Sequence, residues 1–163
     1  DSLGADVVIN YETQDFKKIV LEKTGNRGVD VVFDNVGEAV MDDSLACTAY
    51  NGRYLMMGFA SGKAVADEKL IVPRKVSAGN LKLCGVLLAY ADQAIAPMMK
   101  QAMGWNFCSG ALGTKVMAEV GDGVGDETLP PVVGAVDGFE ALPDAMTRMR
   151  DRQTTGRVID HVA

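Results

Sequence analysis

The sequence has few of the residues from which metal sites and disulfide frameworks are built. Its 163 residues include three cysteines and a single histidine. Cys47, Cys84 and Cys108 are odd in number, widely spaced and form no C-x-x-C pair. This pattern argues against a disulfide framework and a structural zinc site, and we expect a reducing, cytoplasmic location. Because a metal or proton-transfer site needs several converging groups, we expect His161 to be a surface or edge residue.

Long apolar runs and clusters of positive charge are also missing. No apolar stretch reaches the roughly 18 residues of a membrane-spanning helix, so we expect no membrane contact. The first residues have neither the basic nor the apolar region of a signal peptide. A net charge of −6 without a basic cluster argues against a nucleic-acid partner. There is no serine nucleophile elbow, HExxH motif or cysteine–histidine pair, so hydrolases and zinc enzymes find no support.

The chain does have the composition of a globular domain and an alternation of strands and helices. Apolar residues make up 48% and charged residues 23%, which allows a sizeable core. We predict strands over 5–10, 29–34 and 53–57. The first helix between them begins at Thr13 or Asp15 and is closed by Gly25, and the second spans 38–50. This order predicts βαβ units and a parallel sheet, an α/β fold.

The second half of the chain continues the alternation less regularly. Residues 59–77 are predicted to be irregular with a short helical turn, and 81–88 to be a strand. Asp92 can cap a helix with Pro97 in its first turn and a methionine stripe typical of a core or interface. The further predicted elements are a helix at 110–120, a glycine-rich loop at 121–131, a strand at 132–136, a helix begun by a capping box at 137–140 and closed by Gly156, and a strand from Arg157.

Three loops follow the first three predicted strands, at 10–11, 35–37 and 58–62. In a parallel α/β sheet, ligands bind at the carboxyl ends of the strands. Glycines there allow close approach of a flat ligand and expose N–H donors, although each taken alone could simply make a turn. The G-x-G-x-x-G that should hold a pyrophosphate is not found in the right context. The glycines at 121, 123 and 125 follow no clear strand and enter no helix, so we interpret them as a loop.

Several motifs occur in a fixed order along the chain. They are L-G-A-D at 3–6 with V-I-N-Y at 8–11, T-G-x-x-G-V-D-V-V-F-D-x-V-G at 24–37, G-R-Y at 52–54 with G-F-A-S-G at 58–62, and T-G-R-V-I at 155–159. Together they resemble the medium-chain dehydrogenase/reductase superfamily and its zinc-independent, quinone oxidoreductase-like branch. The resemblance implies an α/β fold with a partial Rossmann doubly wound parallel sheet over residues 1–131. Residues 132–163 would return towards a GroES-like catalytic domain, and we expect the first βα unit and its glycine loop upstream of Asp1.

The resemblance also implies a cofactor, NADP, with NAD as the alternative. Tyr11 would border the adenosine 2′-phosphate. Asn35, Val36 and Gly37 would lie under the adenine-side ribose and the nicotinamide, and Gly58, Phe59 and Ala60 would reach the nicotinamide end. Arg152 or Arg157 would pair with a phosphate, which suits the fork of guanidinium donors.

Three functions follow from these patterns. The first is an NADPH-dependent reductase that transfers hydride to a quinone, an enone or a related small carbonyl substrate. The second is an S-adenosylmethionine-dependent methyltransferase-like domain, in which an acidic strand end, a helix and an N-G-R-Y-L turn also occur. The third is a non-catalytic dimerising module, because an edge strand such as 81–88 can pair with its copy across a two-fold axis. We expect a homodimer through this strand.

Overall fold

The computed structural model of the chain describes residues 4–58, 60, 73–87 and 89–162. They form two compact units, Asp1–Ala89 and Tyr90–Ala163. In both units the paired strands run parallel, and helices connect successive strands. None of the helices in the described part of the chain is both long and apolar enough to cross a bilayer.

The described residues of the first unit form a three-stranded parallel sheet in the order β1-β2-β3 and three helices. Its elements are α1 (Phe16–Lys23), β1 (Val29–Asp34), α2 (Glu38–Ala46), β2 (Thr48–Met56), α3 (Pro73–Gly79) and β3 (Lys82–Gly85). The core is centred on Leu45, Tyr54 and Leu81, which are all buried. Asp15 begins α1 as expected, since its carboxylate accepts a hydrogen bond from the Lys18 N–H at 3.0 Å.

The predicted first strand is absent, and this expectation was wrong. No strand ladder joins residues 4–10 to another described segment, and Val7 and Val8 are 45% and 68% exposed. The segment ends in a turn, in which the Asn10 carbonyl accepts the N–H groups of Thr13 and Gln14. A strand forms only where a neighbour takes its backbone hydrogen bonds. Within the described sheet, β1 has such a neighbour, β2, on one edge only.

The predicted helix at 38–50 ends four residues early, at Ala46. Thr48 already pairs with Val29, and the Val29 N–H donates to the Cys47 carbonyl at 2.8 Å. The turn expected at 51–52 is an irregularity inside β2, where the register with β1 shifts and Asn51 has φ 60°. A Cβ on Gly52 would lie 2.7 Å from the Thr48 methyl and 2.8 Å from the Ala49 carbonyl oxygen. Pairing with β1 therefore overrides the local helical pattern.

The second unit contains two parallel strand pairs, β4–β5 and β6–β7. Its elements are β4 (Tyr90–Ala91), α4 (Ala96–Met103), β5 (Cys108–Ser109), α5 (Gly110–Gly125), β6 (Val133–Gly138), a 3-10 turn (Phe139–Ala141), α6 (Leu142–Arg150) and β7 (Arg157–His161). Pro97 lies in the first turn of α4 as predicted. Asp92 caps only the turn before it, through the Ala94 N–H at 2.9 Å.

The glycines expected to form a loop belong to α5, which continues to Gly125. This prediction was wrong because a tertiary contact favours the helix. Gly123 is buried, and a Cβ there would come within 2.8 Å of the Leu129 side chain. The Leu129 N–H donates to the Gly123 carbonyl at 2.8 Å, so the chain folds back over the end of the helix.

The capping box predicted at 137–140 does not form. Neither the 3-10 turn nor α6 has a side-chain cap, and Asp137 instead forms an ion pair with Arg148 of α6. The neighbouring strand residue is Asp160, whose Oδ1 is buried and has no hydrogen-bond partner among the described residues. The last strand begins at Arg157, directly after Gly156 with φ 71°, as expected.

Candidate functional site

Two of the predicted loops leave the sheet side by side. The parallel register of β1 and β2 places Asp34 beside Met56, so both strands end at the same edge. The Asp34 carbonyl accepts the N–H groups of Met57 and Gly58 at 2.9 and 3.2 Å, and the Asn35 carbonyl accepts that of Ala60 at 3.3 Å. The structure thereby joins the loops after β1 and β2 through backbone hydrogen bonds.

The carboxylate of Asp34 is the centre of this junction. Asp34 is only 5% exposed, and its Oδ1 accepts the backbone N–H groups of Val36 at 2.7 Å and Gly37 at 3.0 Å. Its Oδ2 accepts the hydroxyl of Tyr54, which is completely buried in β2. Burial, and then the hydrogen bond to Asp34, raise the pKa of Tyr54 well above its ordinary value of 10.0, while a hydrogen bond from Ser44 opposes the rise. Tyr54 is therefore a neutral donor at physiological pH.

This arrangement corrects the expectation that the loop at 35–37 exposes N–H donors. The N–H groups of Val36 and Gly37 are already used by Asp34, in the way an acidic residue satisfies backbone donors next to a helix start. The loop can therefore offer a flat ligand a close backbone surface. Gly37 has φ 88° and ψ −136°, a conformation open essentially only to glycine.

Gly58 brings the second loop into contact with the first. A Cβ at this position would lie 2.6 Å from the Asn35 carbonyl oxygen and 3.0 Å from its Cα. Both are backbone atoms, so no side-chain rotation could relieve the contact. Glycine here permits a close approach of two chain segments, which a turn residue alone would not require.

A cleft of about 290 Å³ lies against this edge of the sheet. Tyr11, Asn35 and Val36 line it together with Phe16 and Ser44. Tyr11, although it follows no strand, is thus brought to the same cleft as the loop after β1. Tyr11 is 42% exposed.

A second cleft, of about 510 Å³, also has Tyr11 in its lining. It carries three carboxylates, from Glu12, Asp15 and Asp43, and one cation, Lys17. The Lys17 ammonium lies 2.8 Å from Asp43. This hydrogen bond raises the pKa of Lys17 above its usual 10.5. The balance of charge in this cleft is therefore negative.

The remaining predicted site residues are Phe59, Ala60, Arg152 and Arg157. Phe59 lies outside the described residues, and Ala60 is exposed beside the junction. Arg152 follows α6 with φ 56° and Arg157 opens β7, so both belong to the second unit. Sequence reasoning missed Tyr54 and the role of Asp34, although an aspartate that ends an apolar strand three positions before a glycine was a usable signal.

Comparison with known proteins decides the family. A model described as zinc-binding dehydrogenase matches residues 3–159 of the chain. The chain belongs to this family. Membership of the medium-chain dehydrogenase/reductase superfamily and a Rossmann-type α/β fold, both expected from the motifs, are confirmed.

Two curated relatives and one solved structure illustrate the similarity. A 2-haloacrylate reductase from Burkholderia is 47% identical over 70 residues, which are 43% of this chain and 20% of that protein. Quinone oxidoreductase-like protein 2 from Rattus norvegicus is 29% identical over 158 residues, 96% of this chain and 39% of that protein. A mycobacterial protein solved as a complex with NADPH matches with a TM-score of 0.72 and 27% identity, covering 99% of this chain and 45% of the other. The chain thus spans about two fifths or less of the length of these curated relatives.

The zinc in the family's description finds no support among this chain's described residues. No group of three His, Cys, Asp or Glu side chains within 4–58, 60, 73–87 and 89–162 is placed to hold a metal ion. Cys47 is buried in the first unit, and Cys108 lies in the second.

Proposed function

We propose that the full-length protein is an NADPH-dependent oxidoreductase that transfers hydride to a quinone, an enone or a related small unsaturated carbonyl compound. The main support for the proposal is the junction at Asp34, where hydrogen bonds join two loops. The junction lies at the carboxyl edge of a parallel sheet, beside a cleft. This is where dinucleotides bind in α/β sheets. The names of the relatives, a 2-haloacrylate reductase and a quinone oxidoreductase-like protein, support the substrate class.

The described residues fit one flank of a dinucleotide. Gly37 and Gly58 keep side chains away from the junction, so a flat ring or ribose can approach the backbone closely. Asn35 and Val36 would contact this part of the cofactor, and Tyr11 would close the far side of the cleft. When bound, the nicotinamide supplies the hydride, and the role of these residues is to orient the cofactor and exclude water.

Tyr11 is the residue that we propose for discrimination between NADPH and NADH. A phenol hydroxyl can donate a hydrogen bond to a 2′-phosphate, as the family resemblance implies. The carboxylates of Glu12 and Asp15 line the neighbouring cleft and would instead favour the ribose hydroxyls of NADH. The ratio of the two dissociation constants therefore tests the assignment directly.

The test uses the full-length protein and measures binding of NADPH and NADH, followed by cofactor oxidation with quinones, enones and 2-haloacrylates. We expect Tyr11→Phe to weaken NADPH binding about threefold to tenfold and leave NADH binding unchanged. Tyr50→Phe is the matched control, because Tyr50 is 79% exposed and lies away from the cleft. Bound cofactor without turnover on any of these substrates would contradict the proposed reaction, and equal loss of both cofactors would contradict the role of Tyr11.

The two alternative functions, a methyltransferase-like domain and a dimerising module, differ in their support. Membership of a dehydrogenase family favours hydride transfer over methyl transfer from S-adenosylmethionine.

Self-association is compatible with this function, because β3 pairs with β2 on one side and lies at the end of the described sheet. Sedimentation of the full-length protein, with and without NADPH, would test a homodimer through this strand. We also propose that the enzyme is cytoplasmic, and fractionation of cells would test this location.

A further inference from the structure

The hydrogen bond between Tyr54 and Asp34 connects the interior of the sheet to the candidate cofactor loop. Tyr54 is completely buried, and its hydroxyl reaches the Oδ2 atom of Asp34, which is itself 5% exposed. The other carboxylate oxygen holds the N–H groups of Val36 and Gly37. Tyr54 thus holds the Asp34 carboxylate in place, and this carboxylate binds the backbone of the loop at 35–37.

A buried carboxylate in this position needs every one of these donors. Two backbone N–H groups satisfy Oδ1 and the phenol satisfies Oδ2, so the charge is compensated without a cation from the described residues. Phenylalanine at position 54 would fill the same space and remove one donor. The carboxylate could then turn, and its hold on the two loop amides would weaken.

The same residue also positions the second loop. The Asp34 carbonyl accepts the N–H groups of Met57 and Gly58, and Asn35 next to it accepts that of Ala60. Movement of Asp34 would therefore disturb both loops at once. A cavity mutation elsewhere in the same core would remove packing but none of these hydrogen bonds.

We infer that Asp34 and Tyr54 are positioning residues for cofactor binding, which act by holding the backbone of residues 35–37, 57, 58 and 60 in the geometry that accepts the dinucleotide. This inference rests on the proposed function of the site. Neither residue needs to touch the cofactor, and their role is separate from that of Tyr11. Loosening of these loops in a variant would occur in the free protein, so it can be measured without any cofactor.

The test compares Tyr54→Phe with two controls in the full-length protein. Tyr50→Phe makes the same chemical change at an exposed position, and Leu81→Ala removes apolar atoms from the same buried cluster without removing a polar group. The first measurement is hydrogen–deuterium exchange of peptides covering residues 33–40 in the absence of cofactor. The second is the dissociation constant of NADPH, measured well below the unfolding temperature of each variant.

We expect Tyr54→Phe to speed exchange in residues 33–40 about tenfold and to raise the NADPH dissociation constant by a similar factor. Leu81→Ala should lower the unfolding temperature at least as much and change the dissociation constant less than twofold. Equal weakening of binding by Leu81→Ala would overturn the inference, because general destabilisation would then explain it. Unchanged exchange in Tyr54→Phe, or faster exchange with unchanged affinity, would overturn it too. If the wild-type protein binds neither NADPH nor NADH, the proposed function fails, and with it the cofactor role inferred for these two residues.

Discussion

Substitution of Gly58 by alanine probes the junction of the two loops most directly. The new methyl carbon would lie 2.6 Å from the Asn35 carbonyl oxygen, about 0.8 Å closer than an ordinary contact. The obstructing atoms are backbone, so one loop must move. The hydrogen bonds from Gly58 and Ala60, at 3.2 and 3.3 Å, are already long and would break. Overpacking and lost hydrogen bonds together should cost about 2–3 kcal/mol of the free energy of unfolding.

The assay is urea unfolding of the full-length protein together with NADPH titration. Gly138→Ala is the matched control, since Gly138 has φ −81° and a methyl there would meet no atom of a described residue within 4 Å. We expect the control to unfold within about 0.5 kcal/mol of the wild type. Displacement of the loop in Gly58→Ala should also raise the NADPH dissociation constant about tenfold or more. If both variants unfold alike and bind NADPH alike, the close approach of the two loops is not required and our reasoning about the junction is refuted.

Three further predictions concern stability. Gly121→Ala should raise the free energy of unfolding by about 0.5–1 kcal/mol in thermal denaturation, because Gly121 lies inside α5 and a Cβ there would meet no atom of a described residue within 4 Å. The pKa of Tyr54 is raised in the folded protein, so the neutral phenol stabilises the fold below about pH 10 and this contribution is lost as pH rises. The urea midpoint of the wild-type protein should therefore fall more steeply from pH 9 to 11 than that of Tyr54→Phe. Arg148→Ala leaves Asp137, with 20% side-chain exposure, without its ion pair and should cost about 1–3 kcal/mol, whereas Arg150→Ala at an exposed pair should have no measurable effect in the same urea titrations.

Local signals located several elements accurately. The strand predicted at 29–34 is observed with those bounds, and Asp15 and Gly25 delimit α1 as expected. In these stretches apolar pattern, cap and turn residue all favour one structure. The order of motifs along the chain was equally informative, because it identified the superfamily that comparison then confirmed.

The failures occur where a packing or hydrogen-bonding contact between elements outweighs the local pattern. Residues 5–10 have a strand's composition but no described neighbour to accept their hydrogen bonds. The glycines of α5 suggest a loop, yet packing of Leu129 on Gly123 favours the helix. Asp137 has the spacing of a capping residue, but Arg148 binds its carboxylate.

The sequence by itself determined the alternation of strands and helices and the family, because these depend on residues close together in the chain. It also predicted the loops at which a ligand should bind. Only the tertiary structure decided how the loops are held and what they can offer a ligand. Asp34 and Tyr54 are separated by twenty positions, and the register of two parallel strands brings them together. The other oxygen of the Asp34 carboxylate binds the amides of Val36 and Gly37, which the sequence alone had left available to a ligand.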